Sequence, residues 1–307
     1  MTSVAEKKSH GLPYALGAYA LWGTMPLYLV MLNGVDPFRL VAWRIVWTIP
    51  VCLMALAAIG GFAKLHAAFA NRRALALLLL SSLLITLNWI VYVVAVQAGH
   101  FYAASLGYYI NPLVNVLLGT IFLRERLSRL QWLAVAIAAS GIAVLAIEAR
   151  EMLVISLTLA LSFGFYGLLR KRVAVDALPG LTVEVLLLTI PAIVALMFVP
   201  QGVRDFGDGW SLSFLLVGAG LMTGVPLLLF AVAARRMTYS ALGFVQFLAP
   251  TMVFLQGLFL FGENLKPVQA ICFVLIWTAI AIFCADMLMR MRRNAQPQFH
   301  QQPQPQD

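Results

Sequence analysis

Charge is what this sequence has least of. Asp, Glu, Lys and Arg together make up 11% of its 307 residues, against roughly 25% in an average soluble domain. Its three cysteines, Cys52, Cys272 and Cys284, sit singly in apolar stretches without CxxC spacing. That excludes a disulfide framework or a zinc site and leaves them as small hydrophobes. Histidine is equally scarce. Three of the four, His10, His66 and His300, lie outside the apolar runs, and His100 has no cysteine or carboxylate beside it to build a metal site. HExxH, GxSxG, GxGD, Walker A and a strand-borne GxGxxG are all missing. The expectation is therefore no catalysis, no cofactor, no metal and no ATP-driven step carried by this chain.

What the sequence does have is apolar side chain, 62% of the residues, where a soluble domain carries roughly 45–50%. A water-soluble fold of this length lacks the interior to hide that much, and exposing the excess to water aggregates the chain. The bilayer is the solvent that suits it. A spanning helix needs about 20 mainly apolar residues, and ten such runs are expected at 12–31, 41–61, 74–96, 103–123, 130–147, 152–169, 181–199, 211–234, 241–261 and 267–289. The N-terminal ten residues are polar, and the Gln/Pro-rich end, taken with residues 290–307, reads as a disordered tail. Lys7 and Lys8 precede the first run and Ala18-Tyr19-Ala20 imitates a cleavage site, but the run continues unbroken to Met31. It is read as an uncleaved span.

Lys and Arg are distributed unevenly among the connectors. Taken alternately from the N-terminus, one set of connectors and ends holds 16 and the other only Arg39, Arg150, Arg204 and Lys266. The positive-inside rule then puts both termini in the cytoplasm. The chain also repeats itself. A shift of 138 sets Pro112, Gly119, Glu125 and Gln131 on Pro250, Gly257, Glu263 and Gln269, and a shift near 141 sets Trp22-Gly23 on Phe163-Gly164 and Pro50 on Pro191. Each unit has five spans, 12–147 and 148–289, and an odd number per unit forces inverted topology. The fold class expected is an all-α polytopic membrane protein with ten transmembrane helices in two inverted five-helix repeats.

Polar groups inside a span turn toward the bundle interior, because hydrocarbon offers them no partner. Asn88 and Tyr92 share a face of the third span; Tyr108, Asn111 and Asn115 share one of the fourth. For Asn115 interhelical hydrogen bonding is the plainer reading. Asn111, just before a mid-span proline, reads as cavity-lining, since proline frees a carbonyl one turn back. Pro112 and Pro250 hold equivalent repeat positions and are expected as paired helix kinks at a midplane site. Gln246 is the polar counterpart of Tyr108 in the second half, and Trp22 and Tyr166 supply aromatic walls. Glu125 and Glu263 read as interfacial groups, and Asp286 as a surface partner of Arg290 one turn on. Arg44 and Glu184 are the two charges expected well inside the spans. Opposite topologies separate them by most of about 30 Å, so each is expected to act on its own side, binding a solute charge or closing a gate. Snorkelling to the headgroups is the alternative for Arg44.

Several segments carry a family likeness. LNWIVYVVAVQAGHFYAASLGYYINPLVNVLLGTIFLRERLSRLQW, YALWGTMPLY, AWRIVW, LSFGFYGLLRKRVAVDALPGLTVE, GVPLLLFAVAARRM and SALGFVQFLAP together resemble the RarD branch of the EamA transporters, in the drug/metabolite transporter superfamily. The resemblance covers residues 11–289. It implies a ten-helix plasma-membrane carrier that exports small organic solutes by alternating access. Its expected partners are the solute, a coupling proton or other ion, the lipid bilayer and a second copy as a homodimer, with no nucleic acid. A receptor or assembly factor on the same scaffold is the alternative.

Overall fold

The computed structural model of the chain describes residues 11–98, 101–148, 153–260 and 267–295. Every element among them is helical: α1 (Leu12–Met31), α2 (Pro37–Ala58), α3 (Phe62–Ala70), α4 (Arg72–Gln97), α5 (Phe101–Phe122), α6 (Arg129–Glu148), α7 (Leu153–Arg172), α8 (Ala177–Phe198), α9 (Trp210–Arg236), α10 (Tyr239–Gln246), α11 (Leu248–Phe259) and α12 (Pro267–Ala295). The segment Tyr239–Gln256 and six long helices, α2, α4, α7, α8, α9 and α12, are long and apolar enough to cross a membrane. Leu106–Phe122 and Arg129–Val144 are apolar and shorter. This is an all-α polytopic membrane protein. Large apolar side chains such as Ile190, Met197 and Phe198 on α8 are 74%, 72% and 77% exposed, a surface that only lipid tolerates. Glu263, His100, the first ten residues and the Gln/Pro-rich end lie outside the described residues.

Helix starts follow local chemistry more than hydropathy. Asp36 caps α2, its carboxylate accepting from Phe38 N at 2.9 Å and Arg39 N at 3.2 Å, and Pro37 fits the first helical position, where an N–H has no partner anyway. The helix thus begins four residues before residue 41, where the apolar run opens, and carries Arg39 inside it. Likewise α7 runs through Arg172, past the expected end at residue 169. The last helix reaches Ala295, so residues 290–295 belong to it and not to a tail: nothing in that stretch breaks a helix before Pro297. The ninth run, expected as one helix over 241–261, is two, α10 and α11, interrupted at Phe247. Pro250 has no N–H for the carbonyl of Gln246, one turn back.

The closest helix pairs are α5 with α7, α4 with α7, α1 with α9, α2 with α8 and with α9, α5 with α10, α1 with α11, and α6 with α12. All of them join one sequence half to the other. Small residues allow several of these approaches. The Gly220 carbonyl accepts from Thr48 Oγ1 at 3.1 Å, and a Cβ on Gly224 would meet Thr48 Cγ2 at 3.1 Å. Helices α2 and α8 run antiparallel. Arg39 at the start of α2 donates to the carbonyls of Leu196 (2.7 Å) and Val199 (3.0 Å) at the end of α8, while Cys52 farther along α2 lies against Thr182 near the start of α8.

Candidate functional site

Among the described residues three arginines are buried, and each has different surroundings. Arg39 Nε donates to Asp205 in the α8–α9 connector. Trp43 Nε1 donates to the same carboxylate at 2.8 Å, and Phe206 stacks on Trp43 with ring centroids 4.7 Å apart, which folds the connector over the start of α2. Arg170 on α7 is 1% exposed. Its Nη1 lies 3.6 Å from Glu184 Oε1, and its Nη2 donates to the Ala177 carbonyl at 2.8 Å. Glu184 also accepts from Ser81 Oγ of α4. The third arginine, Arg44, is 4% exposed and has no carboxylate partner among the described residues.

Arg44 instead donates from Nε to Thr223 Oγ1 of α9 at 2.9 Å, and its guanidinium lies over the Trp89 ring of α4, 4.9 Å from the centroid. Tyr28, Tyr92 and Tyr108 are its other electrostatic neighbours, and Tyr92 meets Tyr108 edge to face at 5.3 Å. Arg44 also lines a narrow crevice with Met25, Tyr28, Leu29, Leu32, Ala219 and Met222, closed to a water-sized molecule in this conformation. A cation–π contact on a desolvated site is worth about 2 kcal/mol. Burying an ion costs several kcal/mol even after relaxation, so one hydroxyl and aromatic faces leave this charge under-compensated.

A second cluster is aromatic. Trp22 of α1 lies 5.6 Å from Tyr19, 5.4 Å from Phe163 of α7 and 5.7 Å from Phe230 of α9. Tyr166, fully buried, stacks on Phe230 at 5.9 Å, and its hydroxyl has no hydrogen-bond partner among the described residues. Beside it, Gln246 Oε1 accepts from Asn115 Nδ2 at 2.7 Å and from the Tyr19 hydroxyl at 3.5 Å. Trp22 and Tyr166 thus belong to one seam between helices of both halves.

The remaining expected residues divide by what holds them. Asn88 is 3% exposed and donates to the Leu159 carbonyl (2.9 Å) and Ser162 Oγ (3.0 Å) of α7, so its donors serve helix packing. Asn111 is buried with Oδ1 unpartnered among the described residues. Pro112 stays within the continuous α5, and the Pro250 carbonyl accepts from the Tyr109 hydroxyl at 3.4 Å. Arg44 and Glu184 have separate partners and do not pair. Asp286 does pair with Arg290, at 2.8 Å. Glu125 binds neither adjacent arginine: its carboxylate accepts from Tyr239 N (2.6 Å), Ser240 N (2.9 Å) and Ser240 Oγ (2.8 Å) and so holds the start of α10. Arg170 escaped the sequence reading because it opens the run Arg170-Lys171-Arg172, which looks like a connector. Thr223 and Trp89 carried no signal beyond lying in apolar runs.

Comparison with known proteins bears on what such a seam is for. The profile of the EamA-like transporter family matches residues 9–147. An uncharacterized transporter of Pseudomonas aeruginosa is 44% identical over 291 residues, which cover 92% of this chain and 97% of that protein. Protein RarD of Escherichia coli is 37% identical over 293 residues, covering 95% and 99%. The chain belongs to the RarD branch of the EamA-like transporter family. A chloramphenicol-sensitive protein RarD of Pseudomonas aeruginosa is 32% identical, with 93% and 97% covered. A solved crystal structure at 22% identity matches the fold with a TM-score of 0.70, covering 92% of this chain and 99% of that one. This RarD-branch protein is therefore a multi-pass membrane transporter. Its two clusters of buried polar and aromatic groups occupy contacts between the two sequence halves.

Proposed function

We propose that this transporter carries a small amphipathic organic solute out across the bacterial inner membrane by alternating access, driven by a proton or other ion gradient. In this reading ten spans form two inverted five-helix units, 12–147 and 148–289, with both termini in the cytoplasm. Arg44, Tyr92, Tyr108 and Asn111 line one part of the solute path. Trp22, Tyr166 and Gln246 line the other, Glu184 serves a gate with Arg170, and Asn88 holds α4 against α7 at the margin. Pro112 and Pro250 provide the yielding points of α5 and of the α10–α11 segment. The observation that carries the proposal is the under-compensated guanidinium of Arg44 beside a crevice formed by α1, α2 and α9, since buried charge in a membrane protein marks solute or ion pathways.

The test is flux. Purified protein in liposomes, screened over metabolites and antibiotics with and without an imposed proton gradient, is expected to move at least one organic solute faster than empty liposomes. Absence of any flux from correctly inserted protein retires the reading in favour of a receptor or assembly role. Reporter fusions after residues 100 and 289 are expected to report periplasm and cytoplasm. A periplasmic C-terminus removes the inverted repeat.

A further inference from the structure

We infer that Arg44 is an anion subsite and that the solutes this protein selects are monoanionic carboxylates with an apolar or aromatic body. The inference rests on the transport reading and adds its substrate class. Among the three buried arginines, Arg39 has Asp205 and Arg170 has Glu184, whereas Arg44 has no acidic partner among the described residues. Its Nε is fixed by Thr223, and Thr223 is itself fixed by donating to the Ala219 carbonyl at 2.7 Å. The guanidinium is seated on Trp89. The stem and one nitrogen are thus anchored, while both Nη groups make no hydrogen bond to any described residue. That leaves a planar pair of donors whose geometry matches the two oxygens of a carboxylate.

Charge number narrows the class. One guanidinium balances one negative charge; a phosphate dianion leaves a net negative charge in an apolar site, which burial penalises. The walls set the rest of the solute. Met25, Leu29, Leu32, Ala219 and Met222 line the crevice with Tyr28, and around the guanidinium itself lie the Trp89 ring and, as electrostatic neighbours, Tyr92 and Tyr108. Once helix movement opens the crevice, these are surfaces for a hydrocarbon or aromatic body. The Tyr28 hydroxyl is already donated to the Leu215 carbonyl, so among the side chains lining the crevice the arginine is the donor left to meet the solute.

The experiment compares acids with their uncharged amides: acetate, benzoate and 3-phenylpropionate against acetamide, benzamide and 3-phenylpropanamide. Binding is measured on the purified full chain in detergent at neutral pH. Wild type is expected to bind benzoate or 3-phenylpropionate at least ten-fold more tightly than the matching amide, and acetate weakly. Arg44→Gln is expected to bind acid and amide alike, and Arg44→Lys to keep part of the preference. Arg44→Met, which keeps the volume of the buried stem, gives a second charge-free variant should Arg44→Gln not fold. Equal binding of acid and amide by wild type, or a preference that survives Arg44→Gln or Arg44→Met, overturns the subsite. Acid preference without flux of any solute in liposomes retires the transport reading and keeps the subsite. Flux of neutral solutes without acid preference does the reverse.

Discussion

Arg44 and Arg170 are the same side chain, equally buried, in helices that pack on a common set of neighbours, and they are built for different work. Arg170 is enclosed: Glu184 supplies its counter-charge, Ser81 steadies Glu184, and the Ala177 carbonyl accepts from Nη2. Arg44 is held by one hydroxyl and an indole face. A charge whose partner is internal stays neutralised as long as the helices stay together. A charge without one is relieved by something that arrives. The difference teaches that burial alone does not mark a binding residue in a membrane bundle; the state of its counter-charge does.

The comparison breaks most severely at Arg170. Replacing it by Met strands the Glu184 carboxylate, and breaking a buried pair from one side costs about 3–5 kcal/mol. Thermal or denaturant unfolding in detergent is expected to show that loss for Arg170→Met. The double variant with Glu184→Met is expected to recover most of it, because removing both charges removes the debt. Gly180→Ala comes next. A Cβ there meets the Arg170 Cζ at 3.1 Å, and overpacking of this kind costs about 1–3 kcal/mol, seen as a lowered unfolding midpoint with Glu184 still in place. Arg44→Met is expected to leave the unfolding midpoint unchanged or raise it, since it deletes an under-compensated buried charge, yet to abolish solute flux. A drop as large as that of Arg170→Met erases the distinction between the two arginines.

The smallest effect belongs to the solvent-exposed ion pair. Asp176 lies 2.9 Å from Lys64 Nζ and 3.4 Å from Arg235 Nη1. Chiefly the Lys64 hydrogen bond holds its carboxyl below the ordinary value of 3.8. A carboxylate lowered in the folded state contributes stability that is full above the ordinary value and is lost as pH falls through the folded one. Lys64→Ala is therefore expected to cost under about 1 kcal/mol at neutral pH. Its unfolding midpoint is expected to converge on that of wild type in acid, below pH 3.8.

Much of the fold was legible as apolar length. Among the described residues, the seven helical segments long and apolar enough to cross a membrane and the two shorter apolar helices all fall on expected runs, and the paired prolines pointed to the break at Phe247, although only Pro250 produced one. The ends of helices were less legible, because a hydropathy run stops at the first charge. Asp36 and Pro37 start α2 ahead of it, and α7 carries Arg170 beyond it. The candidate site was half legible. Arg44, Trp22, Tyr92, Tyr108, Tyr166 and Gln246 stand out as polar or aromatic residues in lipid-length runs, but no pattern separates Asn88, spent on α7, from Asn111, whose Oδ1 has no partner among the described residues.

By itself the sequence determined the solvent and the secondary structure: 62% apolar residues in runs of about 20 have no stable home but helices in a bilayer. Only the tertiary structure decided which charges are paired. In water an amphipathic stripe tells the inside of a helix from its outside. Here lipid and interior are both apolar, so both faces of a helix such as α8 read alike. That Glu184 belongs to Arg170 and Arg44 to no carboxylate among the described residues is a property of which helices meet, and helices far apart in sequence meet by shape and small residues, which no single run of residues spells out.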